Sequence, residues 1–383
     1  MITLKIKVER VTEIVFPCSD NVLNEKLKEV GMGEIMPAQA TVIEISEPAD
    51  LPLRLNFFHN LDEINYLAKR MYSFDRNELS TFIESVKFDK FDMPKDLINA
   101  TFNLHRYSLI QDVSDMEKVG RHYILSKQGA ISQTEAEKMD FAAIGKEILS
   151  VGKINVTDKG LLVAIDGAEF HEVYDGTTFP EYDYIGNGLL TAEISFNGKT
   201  DYVYLPDDDL SISKALVRLD APNLESCKCS ISDINIDNSD TRDLLNRMLE
   251  SEGLYAVNKA TFYMNNDDVE LKKLNALIEY AESEDCDTVC ALARGINKFT
   301  FIEDIEDDED IGRHFIDNDS EYTVHTDLED FIKYDEFGEW LRENMEGKFV
   351  EGGYVSMNNG YTTLENVLEE YSISETGISM GGM

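Results

Sequence analysis

Val119-Gly120-Arg121-His122-Tyr123-Ile124 returns 192 residues later as Ile311-Gly312-Arg313-His314-Phe315-Ile316. Working outward, Phe141, Ile144, Gly145 and Ile148 match Tyr334, Phe337, Gly338 and Leu341, at an offset of 193. Gly152-Lys153-Ile154 matches Gly347-Lys348-Phe349. Upstream, Ile64-Asn65-Tyr66-Leu67 matches Leu274-Asn275-Ala276-Leu277, and Phe16-Pro17 matches Leu205-Pro206. These matches keep one order, with offsets between 189 and 210 that drift as insertions make them drift. One such match means little, but an ordered series is the mark of duplication. The expected units are residues 1–165 and 188–358, joined by a segment at 166–187, with a short helix and tail at 359–383.

Each unit reads as mixed α+β. Alternating, strand-like runs open it at 3–16 and 40–45 in the first copy, and at 190–205 and 255–264 in the second. Helices are expected between them, at 21–30 and 211–218. A helical block follows; Asp267 or Asp268 can cap a helix bearing Leu271, Leu274 and Ile278 on one face, and Gly295 can stop the block. Ser114 and Glu117 stand at capping-box spacing ahead of Val119 and Tyr123. A helix at 141–149 and a strand pair at 153–157 and 160–164, turned at Asp158-Lys159, close the unit. The aromatic and branched positions of these helices are expected in the core.

Charge sets the chain apart. There are 75 Asp and Glu against 35 Lys and Arg, a net charge of −40. The halves share it unequally: residues 1–187 hold 31 acidic and 20 basic side chains, leaving 44 and 15 beyond them. Self-repulsion at this level opposes compaction. Solubility is the plain explanation, but it gives two copies little reason to diverge; salt adaptation of a whole proteome is another, which one protein does not test. The sharper one is a partner with a basic groove. Duplex DNA carries about one charge per 1.7 Å, so forty charges would match about 70 Å of it. Direct binding to nucleic acid or to an anionic membrane is not expected.

The densest run is Glu303, Asp304, Glu306, Asp307, Asp308, Glu309 and Asp310, seven carboxylates in eight positions. Acids here also favour the N-terminus of the following helix, which accounts for one or two of them. Asp317, Asp319, Asp327, Glu329, Asp330, Asp335 and Glu336 continue the acidic surface. Calcium is the natural rival. Asp233, Asn235 and Asp237 imitate the start of a calcium loop, but Asn238 and Leu244 replace its glycine and its bidentate glutamate. Cys227 and Cys229 lack the second pair that zinc needs. Cys286 and Cys290 read as half-buried hydrophobes, and His122 and His314 as structural histidines. No catalytic motif is present, so no enzyme, metal or cofactor is expected. No run of 18 apolar residues appears, the first residues alternate instead of forming a signal peptide, and five cysteines without a framework fit a reducing cytosol.

In this order of motifs, each copy resembles the ArdA antirestriction proteins of conjugative plasmids and transposons. The resemblance rests on the aromatic-Pro step, the Leu-Asn helix, the Gly-Arg-aromatic helix, the aromatic-x-x-aromatic-Gly helix and the closing strand. It implies units of small α/β, helical and α/β subdomains, strung into an elongated rod whose carboxylates imitate phosphates. It implies competitive occupancy of the DNA-binding groove of type I restriction-modification enzymes, at their methyltransferase and specificity subunits. The family's antirestriction segment maps to Glu135, Glu137 and Asp140 before Gly145, and to Asp327, Glu329, Asp330, Asp335 and Glu336 before Gly338. The family pairs as a homodimer, so two joined units imply an intramolecular pseudo-dimer. Ala142-Ala143-Ile144 stands where the first copy should be acidic and aromatic. A mimic aimed at a CRISPR effector or a nucleoid protein, and a plain acidic or divalent-ion-binding protein, are the alternatives.

Overall fold

The alternation of Ile2, Leu4 and Ile6 with Ile14 and Phe16 drives the first hairpin, since one face of a strand repeats every second residue. Strand β1 (Ile2–Lys7) pairs antiparallel with β2 (Val11–Phe16), Ile2 opposite Phe16. Helix α1 (Asp20–Glu29), capped by Ser19, leads to β3 (Gln39–Glu47) and β4 (Phe57–Asn60), in the sheet order β2-β1-β3-β4. Helices α2 (Leu61–Tyr72), α3 (Arg76–Asp89) and α4 (Pro94–Thr101) follow. Then come β5 (Tyr107–Ile110), α5 (Met116–Gln128), the single turn α6 (Gln133–Ala136), α7 (Phe141–Val151), β6 (Ile154–Thr157) and β7 (Gly160–Ala164). Their sheet runs β5-β7-β6.

The second half opens with the hairpin β8 (Leu190–Phe196) and β9 (Lys199–Leu205), then α8 (Asp209–Leu219) and β10 (Lys228–Ile234), in the order β10-β8-β9. Helices α9 (Ser239–Ser251), α10 (Leu254–Met264), α11 (Leu271–Ala281) and α12 (Cys286–Arg294) come next. They lead to β11 (Phe299–Glu303), α13 (Asp308–Asn318), α14 (Tyr334–Asn344), β12 (Lys348–Val350) and β13 (Gly353–Met357), in the order β11-β13-β12, and to α15 (Leu364–Tyr371). The protein is α+β, with small antiparallel sheets. This computed structural model describes residues 1–372 apart from 33–36, 183–187, 237, 267–268, 319–323, 326–328, 330 and 359–361.

Several expectations change. The 255–264 run is helical: Leu254, Val257, Ala260, Thr261 and Met264 are buried at a spacing of three and four, which outweighs its strand-like composition. Asp115, not Ser114, caps α5, because Ser114 is held by the Asp112 carboxylate. Residues 166–182 add to the core of the first half. Tyr174, Phe179 and Tyr182 are buried, Tyr66 stacks on Phe179 at 4.5 Å, and Asn99 Oδ1 accepts from the backbone of Val173 and Tyr174. Cys286 and Cys290 are fully inside. Trp340 is 52% exposed instead of core. The proposed caps Asp267 and Asp268 lie outside the described residues, and α11 begins after Glu270.

The halves meet through α1 and α8. The Asp208 carboxylate accepts from Asn21 N at 2.9 Å and Asn21 Nδ2 at 2.7 Å. In return, Asp20 accepts from Ser211 Oγ at 2.9 Å and Lys214 Nζ at 2.6 Å. Lys214, 3% exposed, also reaches Asp62 at 2.5 Å. A buried ammonium between two carboxylates is tolerable only because both are present.

Candidate partner-binding surface

The recurring Gly-Arg-His motif, at Gly120 and at Gly312, builds two helix pairs, α5 with α7 and α13 with α14. In the first, a side chain at Gly120 would overlap the carbonyl oxygen of Phe141, and one at Gly145 that of Met116. In the second, Gly312 stands against Tyr334 O and Gly338 against Asp308 O. Both pairs therefore touch backbone to backbone, which only glycine allows. The arginine after the first glycine stacks on the aromatic that opens the second helix: Arg121 over Phe141 at 4.5 Å, Arg313 over Tyr334 at 4.3 Å. Each also pairs with a glutamate four residues back, Arg121 with Glu117 and Arg313 with Glu309.

On this shared frame the surfaces differ. Where α14 carries Asp335, Glu336, Glu339 and Glu343, the matching positions of α7 are Ala142, Ala143, Lys146 and Ser150. All four acids are exposed. Packing of the helix pair does not call for them.

The run from Glu303 to Asp310 covers the end of β11, a turn and the first turn of α13. Three of its carboxylates face cations. Glu303 pairs with Lys272 and Glu309 with Arg313, while Asp308 accepts two bonds from Arg342, at 2.7 and 3.0 Å. These hydrogen bonds hold Lys272, Arg313 and Arg342 above their ordinary pKa values. Asp307 Oδ1 accepts from Asp310 N, and Asp310 Oδ2 from Glu306 N, so both acids satisfy backbone donors at the start of α13. Helix capping thus takes two acids of the run, within the one or two expected.

Among the described residues, Asp304, Glu306, Asp317, Glu329, Asp335, Glu339 and Glu343 form no ion pair. Glu336 pairs with Lys333. Asp319, Asp327 and Asp330 lie outside the described residues.

The candidates of the first half have local duties. Glu135 completes a capping box with Ser132, whose hydrogen bonds hold its carboxyl below the usual range. Glu137 accepts from Gln133 Nε2, and Asp140 caps α7 through Ala143 N.

The calcium-like run is divided among elements. Asp233 lies on β10, Asn238 caps α9 and Leu244 is buried, while Asp237 is outside the described residues. Among the described residues no three His, Cys, Asp or Glu side chains are grouped to hold a metal ion. A cavity of about 60 Å³ between the halves is lined by Asp20, Asp62, Tyr66, Phe179, Tyr204 and Arg218. It is far below the size of an ordinary small-molecule site. No described helix is long and apolar enough to cross a membrane.

Sequence reasoning missed Trp340 as a surface group and the buried Lys214 cluster. Trp340 could have been found from the offset of 193, which sets it opposite Glu147, a residue of exposed faces. The Lys214 contacts had no local signal, since its partners lie 194 and 152 residues away. No protein-family model matches the chain, and no curated protein matches it.

Proposed function

We propose that this protein is a non-enzymatic DNA mimic, built from two ArdA-like units, that occupies the DNA-binding groove of type I restriction-modification enzymes in the cytoplasm. The observation that carries this is the contrast between α7 and α14: one helix-pair frame, with the same glycine contacts and arginine stacking, bears a nearly neutral surface in one half and a carboxylate surface in the other. Solubility alone would be served by acids on either half.

The two-unit reading is supported by the element orders. Sheets β2-β1-β3 and β9-β8-β10 share one connection through α1 and α8, and sheets β5-β7-β6 and β11-β13-β12 share another through the helix pairs. The reciprocal contacts of Asp20 and Asp208 at the α1–α8 junction support an intramolecular pseudo-dimer. The acidic surface sits chiefly on β11, α13 and α14.

Competition binding tests the proposal. Increasing protein should displace duplex DNA from a type I methyltransferase core, and displacement should weaken as salt rises. DNA binding that is unchanged at excess protein, across several such complexes, would rule out the proposed target.

A further inference from the structure

The exposed face of α14 is not purely electrostatic. Glu336, Glu339, Trp340 and Glu343 fall at the i, i+3, i+4 and i+7 spacing that places them on one side of the helix. Trp340 is 52% exposed, and its ring stacks on Phe337 at 6.1 Å with an interplanar angle of 13°. Gly338 and Leu341 supply the buried contacts of α14, so the helix does not need Trp340 for its core. In α7 the matching position is Glu147. A large aromatic has therefore been placed in the middle of a carboxylate face where the sister helix keeps a charge.

Exposing an indole costs solubility without stabilising the fold, and tryptophan is the residue most enriched at the energetic centre of protein interfaces. Its acidic rim excludes acidic partners and a like-charged second copy, and complements a basic one. We propose that Trp340 is the apolar anchor of the interface: it enters an apolar recess within the basic DNA-binding surface of the partner protein, while Glu336, Glu339 and Glu343 meet the cations around it. This rests on the function proposed above and adds a contact that DNA phosphates cannot make.

Trp340 is the single tryptophan of the chain, so its fluorescence reports on this face alone. Titrating a type I methyltransferase core into the protein should shift Trp340 emission to shorter wavelength as the ring leaves water. Trp340→Ala should weaken DNA displacement by about tenfold, leave its salt dependence unchanged and leave thermal stability close to that of the parent. Trp340→Phe should recover most of the loss. Neutralising Glu336, Glu339 and Glu343 together should instead flatten the salt dependence. A complex that forms with no emission shift and equal affinity for Trp340→Ala overturns the anchor but leaves the DNA-mimic reading standing. No complex at all overturns both. A shift that grows with protein concentration alone means self-association through this face, which also overturns the anchor.

Discussion

Asn65 and Asn258 hold the residue after the matching prolines, Pro17 and Pro206, in the same way in the two halves. Asn65 Oδ1 accepts from Cys18 N at 3.0 Å and its Nδ2 donates to Cys18 O at 2.8 Å. Asn258 Oδ1 accepts from Asp207 N at 3.0 Å and its Nδ2 donates to Asp207 O at 2.7 Å. The partner of Asn65 is thus Asn258, at an offset of 193, and not Asn275. This removes the outlying offset of 210 from the series. Asn275 has a different duty, donating to Asn238 Oδ1 and Thr241 Oγ1 at 3.0 Å.

Replacing either clamp should be costly. Asn258 is fully buried and Asn65 6% exposed, so Asn65→Ala or Asn258→Ala strands a backbone donor and acceptor away from water. Each should lose about 3 kcal/mol in urea unfolding. Asn275→Ala, half-buried, should lose about 1 kcal/mol. Equal losses for Asn258 and Asn275 would undo the assignment.

Lys214 sets up a pH-dependent penalty. Burial works against ionisation of Asp20, but the Lys214 charge and hydrogen bond more than offset it and hold the carboxyl below its usual range. A depressed carboxyl contributes stability above its unfolded pKa and loses it as pH falls through the folded value. Lys214→Met should cost about 3–5 kcal/mol near neutrality, because two carboxylates are left without their cation. In the variant Asp20 loses the charge that keeps it ionised and gains by protonating, so the difference from the parent should shrink as pH drops from about 7 to about 4. A difference that stays level or grows on acidification would contradict the buried pairing.

The glycine contacts predict a local loss of structure. A methyl group at Gly338 meets the carbonyl oxygen of Asp308, which is backbone and cannot swing aside. Gly338→Ala should separate α13 from α14 and cost about 3 kcal/mol. Hydrogen exchange should quicken in those two helices while β8, β9 and α10 keep their protection. Gly145→Ala should do the same to α5 and α7.

Charge neutralisation should divide by partner. Asn or Gln at Asp304, Glu306, Asp335 and Glu339 removes exposed acids outside any ion pair; the fold should hold and DNA displacement should fall. A matched set of four in the first half, Glu135, Glu137, Asp140 and Glu147, should affect displacement less, and equal effects would refute the division of charge between the halves. Asp308→Asn breaks the two-bond pair with Arg342, so it should lower stability, by about 1 kcal/mol. For the parent protein, raising salt from about 0.05 to about 0.5 M should increase Tm as self-repulsion is screened. The same change should weaken partner binding.

What the sequence alone determined is local or repetitive. Alternation marked the β1 and β8 hairpins, a Gly-Arg-aromatic recurrence marked both helix pairs, and the count of acids marked the second half. These are legible because periodicity and composition need no knowledge of neighbours. Only the tertiary structure decided the rest. A polar residue such as Asn258 declares its role only when the backbone it clamps is brought from Asp207, and its run of residues shows helix or strand according to what covers it. Lys214 is an ordinary helix lysine until the other half supplies Asp20 and Asp62. Trp340 counts as core by its type and lies on the surface because Gly338 and Leu341 already fill the inner face of α14. Burial is a property of packing, and packing joins residues that the chain keeps far apart.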